Sequence, residues 1–225
     1  MTKDLNTPNE EGNDKPKLLK LIELVLAQPA EIMEATQAIL ERYREKHCSD
    51  MTDDEIADMV VKKIISNYSY YAAFVGGTSA LTGVIPGIGT AIAVGGGATT
   101  DAALSMKFQI EMTMAIAVIY GHDIRIEEEK RLCLIVAGLG AINQAAKDGG
   151  KAIGSKAFIK MTQQYLRGAT LQAVKEIFKK VGITFTRKAA GKAIPYGVGV
   201  IIGFSANKGL TWYVGSKAKD FYKVF

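Results

Sequence analysis

Two small groups of polar side chains stand out against an apolar, glycine-rich background. Asp101 stands four residues before Ser105 and eight before Gln109, so on a helix the three share one face. A carboxylate on an inward face is costly unless it is paired or hydrogen-bonded, and inside lipid it would mark a functional site. Asn207 and Lys208 are candidate partners, and a structural buried pair is the favoured account of Asp101. Asp101, Gln109, Tyr120 and Asn207 together form the candidate ligand-binding set. The second group, Tyr120, His122 and Asp123, has acid–base capacity. Gly121 between them reads as the end of a helix, however, and a helix cap explains the three more simply.

No residue qualifies as catalytic. Ser79, Ser105 and Ser205 lack the GxSxG elbow of a nucleophilic serine. Gly87-x-Gly89 and Gly197-x-Gly199 fail the dinucleotide pattern, because Ile92 and Ile202 stand where the third glycine belongs. His47, Cys48, His122 and Cys133 are the only imaginable metal set, and their spacing matches no zinc site. No cofactor and no metal are therefore expected. Two cysteines without CxxC spacing also argue against a disulfide scaffold.

Helices must position these groups. Residues 1–14 lack apolar spacing and read as a disordered tail. Apolar positions at helical spacing run from Leu18 to Leu26, and Pro29 then suits the first position of a second helix. Thr52-Asp-Asp-Glu55 is a capping box that starts a third helix through Ile65. These acidic amphipathic helices make up a first region, 15–65. A second, glycine-rich region follows over 66–225.

From Ile64 to Thr100 there are 37 consecutive uncharged residues. About 20 apolar residues span a bilayer, but Pro86 interrupts this stretch and its arms are dense in Gly, Ala, Ser and Thr. Such arms suit helical hairpins with closely approaching backbones. Further helices are expected from Thr90 to Tyr120, from Ile126 to Lys147, and as an amphipathic stripe over 156–181. The motif at Ile194–Gly203 repeats the proline–glycine theme. Gly182–Thr186 is the only segment with strand character, and it is short. The fold class is all-α: a compact helical bundle in which hairpins 64–120 and 189–216 pack on each other.

The net charge of +5 is unevenly spread. Residues 1–60 carry 14 acidic and 7 basic side chains, whereas 151–225 carry 14 basic and 2 acidic. A basic end beside hydrophobic helices suits an anionic partner, either phospholipid or the acidic N-terminal part. Lys160, Arg167, Lys175, Lys179, Lys180, Arg187 and Lys188 are the candidate membrane-contact residues. Aromatics fall mainly on the apolar side of that segment, so nucleic acid is not expected. The polar, acidic N-terminus is unlike a signal peptide and points to the cytoplasm.

Three motifs together resemble the EcsC family of bacterial proteins: Ile85-Pro-Gly-Ile-Gly89, the helix from Asp101 through Gln109 to Ile119-Tyr-Gly-His-Asp123, and Ile194-Pro-Tyr-Gly-Val-Gly199 leading to Asn207. The resemblance covers about residues 60–225. It implies a helical, membrane-associated protein without an established activity. The expected function is binding or remodelling of the cytoplasmic leaflet, with a lipid-binding cleft, a membrane-protein partner and oligomerisation as further options. Two alternatives remain open: an enzyme or small-ligand binder using Asp101, Gln109 and Tyr120, and a toxin-like, pore-forming insertion.

Overall fold

The computed structural model describes residues 16–75, 97–147, 153–166, 171–190 and 198–225. The tail at 1–14, the Ile85–Gly89 turn and the Ile194–Pro195 turn lie outside the described residues. Among those described there are eight helices and no strand. The chain is all-α, as its periodicity predicts.

Helix α1 (Lys17–Val25) buries Leu18, Leu19, Leu21, Ile22 and Val25 along one stripe. It stops before Leu26, whose backbone is extended, and α2 (Pro29–His47) begins with proline at its first turn. Pro29 has no amide to satisfy and a φ already suited to a helix start. The Glu31 carboxylate reaches back to the Gln28 amide at 3.4 Å. At the start of α3 (Asp53–Val75) the predicted capping box forms in full. Thr52 Oγ accepts the Glu55 amide at 3.3 Å, and the Glu55 carboxylate accepts the Thr52 amide at 2.9 Å.

Helix α3 runs to Val75, past the region boundary expected at residue 65. Ile64, Ile65, Ser69, Ala72 and Ala73 are buried. The inward face therefore continues at helical spacing, with no proline or glycine to interrupt it. The acidic third helix and the uncharged segment as far as Val75 are one element.

Helix α4 (Gly97–Ile119) is the centre of the molecule. Every residue from Ala102 to Ile119 is buried, at a mean hydropathy of 1.4. It packs on α1, α2 and α3, and on α5 (Glu127–Lys147), α7 (Leu171–Ala190) and α8 (Val198–Tyr222). A mainly apolar helix without a solvent face belongs in a core or a membrane; here surrounding helices cover it. Helices α3, α4 and α8 pack mutually, while α6 (Ser155–Leu166) bridges α5 and α8. Gly182 to Thr186, the segment with strand character, is helical within α7. Burial of Val174, Ile177, Phe178 and Val181 on one face of α7 outweighs the β-preference of its last turns.

Close approach of neighbouring side chains explains two glycines. A Cβ at Gly138 would stand 2.4 Å from Ile177 Cγ2 on α7, and one at Gly215 would stand 2.8 Å from Ile65 Cγ1 on α3. Neither position has room for a methyl group.

Candidate functional site

The predicted ligand set does not converge. Asp101 lies in α4, but its side chain is outside the described residues. Gln109 Nε2 donates to Ser105 Oγ at 3.2 Å, and both side chains are fully enclosed. Thr113 adds a hydroxyl that donates to the Gln109 carbonyl at 2.7 Å. The stripe through positions 105, 109 and 113 is therefore real, and it satisfies itself within one helix. Gln109 Oε1 is the exception, having no hydrogen-bond partner among the described residues. Tyr120 lies eleven residues further on, about 16 Å along the axis. Asn207 is half-buried on α8. Its neighbour Lys208 places its ammonium 3.8 Å from the Tyr70 ring centre.

Tyr120, His122 and Asp123 likewise part company. Gly121 takes φ +91°, its amide meets the Val118 carbonyl, and the His122 amide meets that of Ala117. These are the two bonds of a Schellman helix end. The Tyr120 hydroxyl donates to Asp58 Oδ1 at 3.1 Å. His122 Nδ1 stands 3.0 Å from Glu129. The imidazole is not in solvent as a bare cap would leave it: Tyr222 meets it edge-on and Phe225 stacks against it. Asp123 instead holds Arg125 through both oxygens. Those Arg125 hydrogen bonds keep its carboxyl down at about 2.

Asp58 gathers three polar partners. Lys223 and Lys219 approach its Oδ2 at 2.9 and 3.1 Å, opposite the Tyr120 hydroxyl on Oδ1. Burial pushes the carboxyl upward, but the hydrogen bonds from Lys223, Lys219 and Tyr120 together outweigh it and hold it at about 2. Burial and the Asp58 carboxylate raise the Tyr120 hydroxyl above its ordinary value.

Sequence reasoning missed several long-range pairs. Lys217 Nζ donates to Ser155 Oγ at 2.7 Å, and Ser155 donates to Asp220. Donating to a carboxylate and accepting from lysine, Ser155 ties α6 to α8. Asn143 donates to the Tyr213 hydroxyl at 2.7 Å and accepts the Ile153 amide at 3.1 Å. Cys133 lies 3.2 Å from the Tyr222 hydroxyl, and burial pushes its thiol up to about 12, which makes it inert. Lys107 and Glu111 form a buried ion pair on α4, and Glu111 also accepts the Ala27 amide at 2.8 Å. Charges four apart on one helix signal such a pair, whereas the 84-residue link to Ala27 has no local signature.

The basic third divides in two. Lys217 and Lys219 near the end of α8, and Lys223 just beyond it, meet Ser155, Asp220 and Asp58. Four lysines of α6 and α7 face out. Lys160, Lys179 and Lys180 are exposed, as is Lys156, and none meets an acidic partner among the described residues. Lys175 is half-buried. Arg167 and the side chains of Arg187 and Lys188 lie outside the described residues.

Comparison with known proteins follows the helical core. The sequence model of the EcsC protein family matches residues 93–224, more than half of the chain. The chain belongs to the EcsC family. The match takes in α4 through α8 with the Tyr120–Asp123 helix end and Asn207, and begins after the Ile85–Gly89 motif. Helices α1 to α3 of this EcsC protein lie outside the match, although they cover its central helix. No curated protein and no solved structure matches the chain.

Proposed function

We propose that this EcsC-family protein binds the anionic cytoplasmic leaflet as a peripheral protein, through the outer faces of α6 and α7. The observation that carries this reading is the division of the basic residues. Over 155–190 the chain holds eight basic side chains and one acidic, Glu176. Lys156, Lys160, Lys179 and Lys180 are exposed without an acidic partner among the described residues. The opposite face of the same helices is anchored by Phe158, Val174, Ile177 and Phe178. The positive face is thus mounted on a rigid support and free to meet phosphate head groups. Ile183 and Trp212, both about half exposed, add apolar surface.

A peripheral mode also fits α4. It is long and apolar enough to cross a bilayer, yet all of Ala102–Ile119 is enclosed and it carries the Lys107–Glu111 pair. Inserting it would require stripping away six neighbouring helices. An enzyme using Asp101, Gln109 and Tyr120 has less support, because Gln109 and Tyr120 stand roughly 16 Å apart along one helix axis.

Co-sedimentation with phosphatidylglycerol vesicles tests the proposal. Each basic residue near an anionic surface contributes about 1 kcal/mol. Reversing four, in Lys156→Glu/Lys160→Glu/Lys179→Glu/Lys180→Glu, should weaken binding by roughly a thousandfold. Binding to phosphatidylcholine should be negligible throughout. Undiminished binding of the quadruple variant would remove the α6–α7 face from the account. Release of an entrapped dye at saturation would favour pore formation instead.

A further inference from the structure

Helices α3, α4 and α8 meet in a fixed register. The Tyr120 hydroxyl reaches Asp58 and the Tyr68 ring centre lies 6.4 Å from that of Phe108, so α3 and α4 run antiparallel. Lys219 meets Asp58 and Lys208 stands over the Tyr70 ring, so α8 is antiparallel to α3 as well. One layer of this junction is tight. A Cβ on Gly215 would stand 2.8 Å from Ile65 Cγ1 and 2.9 Å from Met112 Sδ. The next layer lies one turn away, toward the end of α3 and the starts of α4 and α8. It holds Ser69, four residues after Ile65, with Gln109, three before Met112, and Thr211, four before Gly215. Steps of three and four keep each residue on the same helix face as its neighbour in the tight layer, about 5 Å along the axes.

All three side chains are enclosed, at 0% exposure. Each also carries an oxygen with no hydrogen-bond partner among the described residues: Ser69 Oγ, Gln109 Oε1 and Thr211 Oγ1. Buried polar atoms nearly always have a partner, so even one such oxygen calls for an explanation. Three at one level of one junction point to a shared guest. The Gln109 amide is turned for it, since Nε2 is engaged by Ser105 Oγ at 3.2 Å and the oxygen is left over. Room follows from composition. A serine, a glutamine and a threonine together fill less space than an isoleucine, a methionine and a glycine, and the tight layer sets the helix separation.

We propose that Ser69, Gln109 and Thr211 bind one ordered water molecule at the centre of the α3–α4–α8 junction. Both hydroxyls donate to the water oxygen, and the water donates to Gln109 Oε1. Three bonds are the usual number for a buried water. The three residues offer hydroxyls and an amide but no carboxylate, so a neutral guest fits, whereas a cation would be buried there without a counter-charge. Ordering a single water costs less than leaving three enclosed polar atoms dry. The directional bridge fixes the register of three helices that apolar contacts alone hold less specifically. Its occupancy is independent of what the outer faces of α6 and α7 bind.

Oxygen-17 magnetic relaxation dispersion on the full chain, recorded over a range of temperatures, tests the assignment by counting long-lived internal waters. Ser69→Ala/Thr211→Val leaves Gln109 as the one partner, too few to hold a buried water. Its dispersion amplitude should fall below that of the unaltered protein by one water. Thermal unfolding of the single variant Thr211→Val gives a second reading, and there the sign decides. Threonine and valine have similar shapes and helix propensities, so the change removes little besides the hydroxyl. A lost bond to water should lower the midpoint by about 2–4 °C. In a dry layer the same change would remove an unbonded polar group and raise it. Equal dispersion amplitudes, or a midpoint unchanged or raised in Thr211→Val, would overturn the proposal.

Discussion

Asp58 joins three helices through one carboxylate, and its titration is a measurable consequence. Its carboxyl sits at about 2 in the folded protein against an ordinary value of 3.8. A depressed carboxyl contributes stability that is present above the unfolded value and is lost as pH falls through the folded one. Asp58→Asn should therefore lower unfolding stability by about 1–2 kcal/mol at neutral pH, after allowance for its partial exposure. That difference should shrink between about pH 4 and pH 2 in denaturant titrations, and a constant difference would contradict the junction. The two cysteines give a second check at this scale. Cys48 is exposed and Cys133 buried, so a thiol reagent should label Cys48 alone in the native protein and both after unfolding. At the residue scale the sequence was partly legible. The Gly121 helix end and the Ser105–Gln109 face follow from local spacing. The aromatic enclosure of His122 does not, because Tyr222 and Phe225 reach it from a hundred residues away.

Helices α1 and α2 are held to α4 by a buried ion pair that also serves as a backbone acceptor. Removing one member of such a pair strands a charge in the core, which costs about 3–5 kcal/mol. Lys107→Met should show that loss in chemical denaturation. Lys107→Met/Glu111→Met should recover part of it, the remainder reflecting the Ala27 amide left without its acceptor. Full recovery would mean that the Ala27 contact contributes nothing. At Gly138 the constraint is steric. The nearest atom belongs to β-branched Ile177, which cannot rotate away, so Gly138→Ala should destabilise by about 1–3 kcal/mol. Elements were the most legible scale. Proline and the capping box place the starts of α2 and α3, and periodicity places α5. The end of α3 is not legible from charge, which is lost at Ile64, because the buried face continues through Ala72.

At the scale of the whole molecule, the sequence-level asymmetry of charge has two outlets. Lysines at and just past the end of α8 neutralise carboxylates within the fold, as Lys219 and Lys223 do at Asp58. Lys156, Lys160, Lys179 and Lys180 of α6 and α7 remain at the surface. Composition alone cannot divide them, since Lys179 and Lys219 differ only in which helix face the tertiary packing covers. The same packing encloses α4, the helix that hydropathy would send into lipid. The central claim is that the outside of α6 and α7 meets the bilayer while α4 stays enclosed. Hydrogen–deuterium exchange on phosphatidylglycerol vesicles reads both halves at once. Amides of Ser155–Leu166 and Leu171–Ala190 should slow on binding, and those of Ala102–Ile119 should keep the protection they have in free protein. Unchanged exchange in α6 and α7, or altered protection across Ala102–Ile119, would contradict the account.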